Sequence, residues 1–213
     1  MHHFPDLEIF AYPSFRCEIR TGDLLFASGQ GGFAELAQQT SRTCWNHVGL
    51  IWRLDPFDRI LVLESHEYWG ARALPLSCYV RNHEGQRRGY PGRIALARHR
   101  RFLECASTEA LREMAAFAWG SLGRPPSPKR LEDLVSRLVS PAIGIDGCTS
   151  AKRGQGQLAA EFVAHCYEHL GLHLREDQPP VTAAHFIQDP NFSWLCELEV
   201  EQDWLSNSGP APT

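Results

Sequence analysis

Two β-rich runs, Asn46 to Arg53 and Arg59 to Ser65, are separated by the five residues Leu54-Asp55-Pro56-Phe57-Asp58. This pair constrains the fold more than any other feature of the chain. A connection that short, with a proline and two aspartates, joins neighbouring antiparallel strands, so the runs read as a β-hairpin. The remaining strands must extend it. Asp23-Leu24-Leu25-Phe26-Ala27, opened by Gly22 and closed by Gly29 to Gly32, predicts one. Arg72 to Val80, and Arg93 to Arg98 with Ile94 and Leu96 facing inward, predict two more. Residues 1–20, with Pro5 and Pro13, read as an irregular lead-in.

Helical spacing appears at Phe33, Leu36, Ala37 and Thr40, and takes over in the second half of the chain. Ser107-Thr108 caps a helix carrying Leu111, Met114, Ala115 and Ala118 and ending near Gly123; Ser127-Pro128 opens another through Leu131, Leu134, Val135 and Leu138. Leu158 to Leu170 is the clearest. It stacks Ala159, Phe162, Val163, Cys166 and Leu170 on one face and stops at Gly171. This order predicts class α+β: a small, largely antiparallel sheet with helices packed around it, in one domain over 1–205 with a flexible tail at 206–213. Residues 124–157, with Pro125-Pro126 and the Gly-rich loop from Gly144 to Gln157, are a candidate lid.

Net charge is −4 over 213 residues, and of the 21 basic residues only Lys129 and Lys152 are lysines. The arginines are scattered, so no stripe exists to track a phosphate backbone and a nucleic-acid partner is not expected. No run of about 18 apolar residues exists, so no membrane span is expected. The start, Met1-His2-His3-Phe4-Pro5-Asp6-Leu7-Glu8, lacks a charged n-region and an apolar h-region. Synthesis in a cytoplasm without a signal peptide is the expectation. Seven cysteines without a CxxC pair fit reduced, mostly buried thiols better than a zinc ribbon or a disulfide framework.

Three positions could carry chemistry. His47 interrupts a β-rich run, where Val, Ile and aromatics are favoured; its plain reading is a hydrogen-bonded core histidine. Glu64 ends the apolar run Leu61-Val62-Leu63 on the paired strand. Buried there it needs a partner, and across the hairpin it could reach an imidazole nitrogen; a solvent-exposed strand end is the alternative. Position 159 lies in the first turn of the clearest helix, where a thiol would be activated by the helix N-terminus. The residue there is Ala159.

In chain order, Gly22-Asp23-Leu24-Leu25-Phe26, Asn46-His47-Val48-Gly49-Leu50, Leu63-Glu64 and Ala159-Ala160-Glu161-Phe162-Val163-Ala164 resemble the motifs of the circularly permuted NlpC-type papain-like enzymes. The motifs span roughly residues 21 to 170. The resemblance implies a permuted papain-like fold, with His47 as catalytic base, Glu64 as the acid that orients it, and position 159 as the nucleophilic cysteine. His66, two residues on and on the same strand face as Glu64, is the alternative third member. The implied reaction is acyl transfer from an amide or ester, with peptidoglycan stem peptides the favoured substrate and lipid acyl groups the other. A cell-wall substrate without a signal peptide would fit an antibacterial effector delivered to a target-cell periplasm, with an immunity protein as partner. No cofactor is implied.

The departure is Ala159. It fits either a Cys→Ala substitution that captures an inactive hydrolase or a natural pseudoenzyme that keeps the cleft for binding. Cys166 lies about 10 Å further along the same helix, and Cys44 projects to the opposite strand face from His47, so neither replaces it. A rival enzyme class comes from His165-Cys166-Tyr167-Glu168-His169, which spells the inverted zinc-peptidase signature H-x-x-E-H. Against it, the two histidines flank the apolar face and Glu168 is expected on the other side. Surface histidines on an amphipathic helix are the plain reading, and no metal site is expected. Trp194 and Trp204 read as core residues.

Overall fold

A computed structural model describes residues 5–29, 43–66, 69–124, 159–174 and 181–201. The hairpin is its centre. Strand β3 (His47–Leu54) and strand β4 (Arg59–His66) pair antiparallel with Leu50 opposite Leu63, and a short 3-10 turn at Asp55–Phe57 joins them. Asp58 closes the turn at φ +48, a left-handed conformation that aspartate tolerates better than most residues. Arg16 holds it by donating to both its carboxylate and its carbonyl.

Around the hairpin lie β1 (Ile9–Phe10), β2 (Asp23–Ser28), β5 (Gly70–Pro75), β6 (Arg93–His99) and β7 (Phe192–Leu198). They complete one seven-stranded sheet in the order β1-β7-β6-β2-β3-β4-β5. All neighbours are antiparallel except β1 and β7, so the sheet is mixed, and with the helices below the fold is α+β.

Helices cover both faces. On one lie α3 (Phe102–Cys105), α4 (Thr108–Gly120), α5 (Ala159–Glu168) and α6 (Ala183–Gln188), packing on Leu24, Phe26, Val48, Leu50 and Leu63. On the other lie α1 (Tyr12–Phe15) and α2 (Leu76–Arg81), over Leu25, Ala27, Ile51, Val62 and Leu96. Every residue of β2 is therefore buried, which is why Leu24 to Ala27 form a continuous apolar run instead of alternating. The Ser107 hydroxyl accepts from the Ala110 amide, the expected N-cap of α4, and Gly171 follows α5 at φ +68.

Several expectations need correction. The sheet is larger than expected and not wholly antiparallel. Residues Arg72 to Val80 are not one strand: Pro75 ends β5, and Leu76 starts α2. That follows from the ring of Pro75, which removes a ladder donor. The lead-in holds β1 and α1, and β7 adds a strand where only core tryptophan had been read. The helices expected at Phe33–Thr40 and after Ser127-Pro128, the lid, Trp204 and the tail at 206–213 lie outside the described residues.

Candidate active site

His47 is the first residue of β3, opposite Ala27. The preceding Asn46 fixes this end of the strand, its Oδ1 accepting from the Gly29 amide at 2.9 Å and its Nδ2 donating to the Gly29 carbonyl at 3.3 Å. Glu64 lies near the end of β4 on the same face as His47, in line with Val62 of the core beneath α2. Between them Gly49 leaves room: a Cβ there would sit 2.5 Å from Val62 Cγ1 and 3.6 Å from Glu64 Cβ.

His47 Nε2 lies 2.6 Å from Glu64 Oε2, and Glu64 is completely buried. Two further donors meet the same carboxylate. The Tyr79 hydroxyl, from α2, donates to Oε2, and Arg72 Nε, directly across on β5, donates to Oε1 at 2.6 Å. Burial pushes the Glu64 carboxyl up, but the His47 charge and hydrogen bond, Arg72 and Tyr79 together outweigh it and hold the group at about 2. An ionised carboxylate only accepts, so in the neutral imidazole the proton belongs on Nε2 and Nδ1 keeps its lone pair. Among the described residues Nδ1 takes no hydrogen bond. His47 thus has one ring nitrogen tied and the other available, and is still partly exposed at the rim of the sheet.

The imidazole of His66, the alternative third member, lies 3.6 Å from Glu84. Glu84 also lies 3.9 Å from Arg72, so a second acid borders the pair.

Ala159 opens α5, half-buried, on the opposite face of the sheet from the dyad. The direction of α5 is set near its other end, where the Tyr167 hydroxyl donates to the Gly22 carbonyl at 2.6 Å. Gly22 precedes β2 and bonds to Ile51 in the second half of β3. The body of α5 packs on β3 and β4. His47 is joined to Glu64 directly; among the described residues no hydrogen bond joins Ala159 to either.

The other thiols are poor substitutes. Cys166 is fully buried and Cys44 lies in the core of the α5 face, and burial raises both thiols above their ordinary range. In the H-x-x-E-H segment, His165 and His169 pack on Phe117 of α4, with ring centroids 6.1 and 5.2 Å away. Glu168 is not turned away from them: it lies 3.8 Å from His165. Among the described residues no three His, Cys, Asp or Glu side chains are grouped to hold a metal ion.

Sequence reasoning anticipated that Glu64 could reach His47, which it does, and did not anticipate Arg72 and Tyr79 on the same carboxylate. Arg72 could have been found, since a hairpin from His66 to Gly70 sets an arginine directly opposite a buried glutamate. Tyr79 could not, because its helix had been read as strand.

No protein-family model matches the chain, and no curated protein sequence matches it. Among solved structures it is similar to the metalloprotein yiiX from Escherichia coli O157:H7, DUF1105, at 16% identity and a TM-score of 0.46, covering 87% of this chain and 98% of that one. A likeness that loose carries no argument about this chain's fold or chemistry.

Proposed function

We propose that this is the scaffold of a permuted papain-like cysteine hydrolase, with His47 as base, Glu64 as its orienting acid and position 159 as the seat of the nucleophile. The observation that carries the reading is the buried, ionised Glu64 on His47 Nε2, which leaves Nδ1 to a reacting group. Position 159 is assigned from the motif order alone, since α5 packs on the opposite face of the sheet from the dyad. With a thiol there, His47 takes the thiol proton and the sulfur bonds to the substrate carbonyl carbon. The C–N bond breaks as His47 returns the proton to the departing amine. Water, deprotonated by His47, then releases the acid and the thiol. Backbone N–H groups at the start of α5 are the donors for the oxyanion.

As written the chain has a methyl group at 159 and no nucleophile there, so it should be inert. An amide of the peptidoglycan stem peptide is the favoured substrate, which would make the active form an exported antibacterial effector with an immunity protein for partner. The test compares the Ala159 chain with Ala159→Cys on purified peptidoglycan, reading released muropeptides by mass spectrometry. Fragments from the Cys form only are expected, with His47→Ala in that background slowing release by about 10²-fold or more. Silence from the Cys form on peptidoglycan and on amide and lipid-ester probes would overturn the proposal. A second reading, a pseudoenzyme that binds through the cleft, is favoured by Ala159 itself. It predicts muropeptide binding by the Ala form and no turnover by either.

A further inference from the structure

We infer that Arg72 and Tyr79 are positioning residues that fix which oxygen of Glu64 His47 uses and which of its nitrogens carries the proton. The inference deepens the proposed site and rests on that reading of His47 and Glu64.

Three donors share one carboxylate. Arg72 Nε occupies Oε1, while His47 Nε2 and the Tyr79 hydroxyl converge on Oε2. With only the histidine present, a glutamate side chain could rotate its carboxylate and offer either oxygen. The guanidinium, from the neighbouring strand, and the phenol, from the covering helix, close those rotations from two directions. Arg72 is mostly buried and Tyr79 is 2% exposed, so water cannot easily replace either donor.

Tyr79 has a second effect. Its oxygen stands 3.5 Å from His47 Nε2, and it could donate to that nitrogen if the imidazole carried its proton on Nδ1 instead. Because the hydroxyl proton goes to Glu64, the phenol presents lone pairs to Nε2 and favours a proton there. The bare Nδ1 that a thiol needs is therefore held by the two side chains behind Glu64 as well as by Glu64 itself. The phenol is held in turn: Tyr79 packs on His83 and Tyr90, at ring-centroid distances of 5.2 and 5.6 Å, and the Tyr90 amide donates to the Tyr79 carbonyl. The charged and titratable groups around the pair are Arg72 from β5, His66 from β4, Tyr79 from α2, and His83, Glu84 and Tyr90 from the segment after it.

Nitrogen-15 NMR of the Ala159 chain, without substrate, tests this through the tautomer of the neutral His47 ring and the solvent exchange of its Nε2–H. The parent should show the Nε2–H tautomer and a slowly exchanging proton. Tyr79→Phe, which keeps the ring and its packing, should speed that exchange about tenfold and bring in the Nδ1–H form. Arg72→Gln, which removes a charged donor, should do more, about a hundredfold. If Tyr79→Phe folds with the tautomer and exchange of the parent, the inference is overturned, whatever Arg72→Gln does. Because no thiol or substrate enters the measurement, a negative result here leaves muropeptide release by Ala159→Cys to be decided separately, and the reverse.

Discussion

Glu64 and Asp23 are both nearly inaccessible carboxylates in one sheet, each facing an arginine across a strand pair, yet their protons behave in opposite ways. Asp23 accepts from Arg98 through both oxygens, at 2.6 and 2.8 Å, and from the Arg20 amide at 2.7 Å. Burial still prevails, and the Asp23 carboxyl is raised. Glu64 is buried at least as deeply but is held at about 2. The difference lies in the hydrogen-bond partners: Asp23 has one guanidinium and an amide, whereas Glu64 has a guanidinium, a phenol and the imidazole of His47. Asp23, at the Gly22 end of the sheet, ties β2 to β6 and to the lead-in. Glu64, at the other end, is arranged to stay charged beside a histidine. A buried arginine–carboxylate pair alone does not set Glu64 apart from Asp23; the imidazole of His47 does.

The comparison breaks most visibly when each acid is removed. Glu64→Ala leaves Arg72, Tyr79 and His47 without their acceptor in a dry site, and breaking a buried pair this way costs about 3–5 kcal/mol. Asp23→Ala should cost less, about 1–3 kcal/mol, because Arg98 is more exposed and keeps its bond to the Glu18 carbonyl. Urea unfolding of the two variants should place Glu64→Ala well below Asp23→Ala. The reverse order would mean that Asp23 is the dominant anchor of the sheet.

Acid separates them next. Glu64 has a folded-state value below its unfolded one, so its stabilisation is present above about pH 4.5 and is lost as pH falls toward about 2. A shift of that size corresponds to about 3 kcal/mol. Asp23 has the opposite sign: its raised value means the folded chain binds that proton more readily, so acidification favours folding through this group. Between neutral pH and pH 2, Glu64→Gln should flatten the loss of stability below pH 4.5, whereas Asp23→Asn should remove the gain that acidification brings as pH falls toward 3.8. Denaturant midpoints across that range would read both slopes.

Much of the Glu64 end was legible in the sequence because it is local. The Pro- and Asp-bearing turn fixes the hairpin, and the hairpin brings Glu64 to His47 over 17 residues. What was not legible depends on interruptions of simple periodicity. Pro75 inside an apparent strand was the signal that β5 stops and α2 begins, and without α2 there is no Tyr79 on Glu64. In β7, Phe192, Trp194, Cys196 and Leu198 look like one alternating face. The sheet register shifts there, with Leu96 opposite Cys196 and Ala97 opposite Trp194. Phe192 and Trp194 consequently pack with the α5 face, and Cys196 and Leu198 with the other. A bulge of this kind flips the pattern midway, and period-two reading cannot follow it. The relation of α5 to the dyad was not legible either, because no local pattern says which face of a doubly covered sheet a later helix takes.

Two glycines, one at each end of the comparison, separate stability from the His47 signal. Gly22, at φ +89, has the Phe102 ring where a Cβ would go, at 2.1 Å. Gly22→Ala therefore combines a left-handed backbone with a clash against a buried aromatic, and should cost about 3 kcal/mol. Gly49 has no such backbone demand, and the atom nearest its would-be Cβ is a Val62 methyl on the neighbouring strand. Gly49→Ala should cost only about 1 kcal/mol, from the push on Val62. The two substitutions should nonetheless rank the other way in the His47 spectrum. A displaced Val62 is two residues from Glu64 on the same face, so Gly49→Ala should hasten exchange of the His47 Nε2–H. Gly22→Ala, acting at the far end of β2, should leave that signal where it was while lowering the urea midpoint more. Should both variants change stability and the His47 signal in proportion, the two ends of the sheet would be one cooperative unit, and the local setting of Glu64 described above would be wrong.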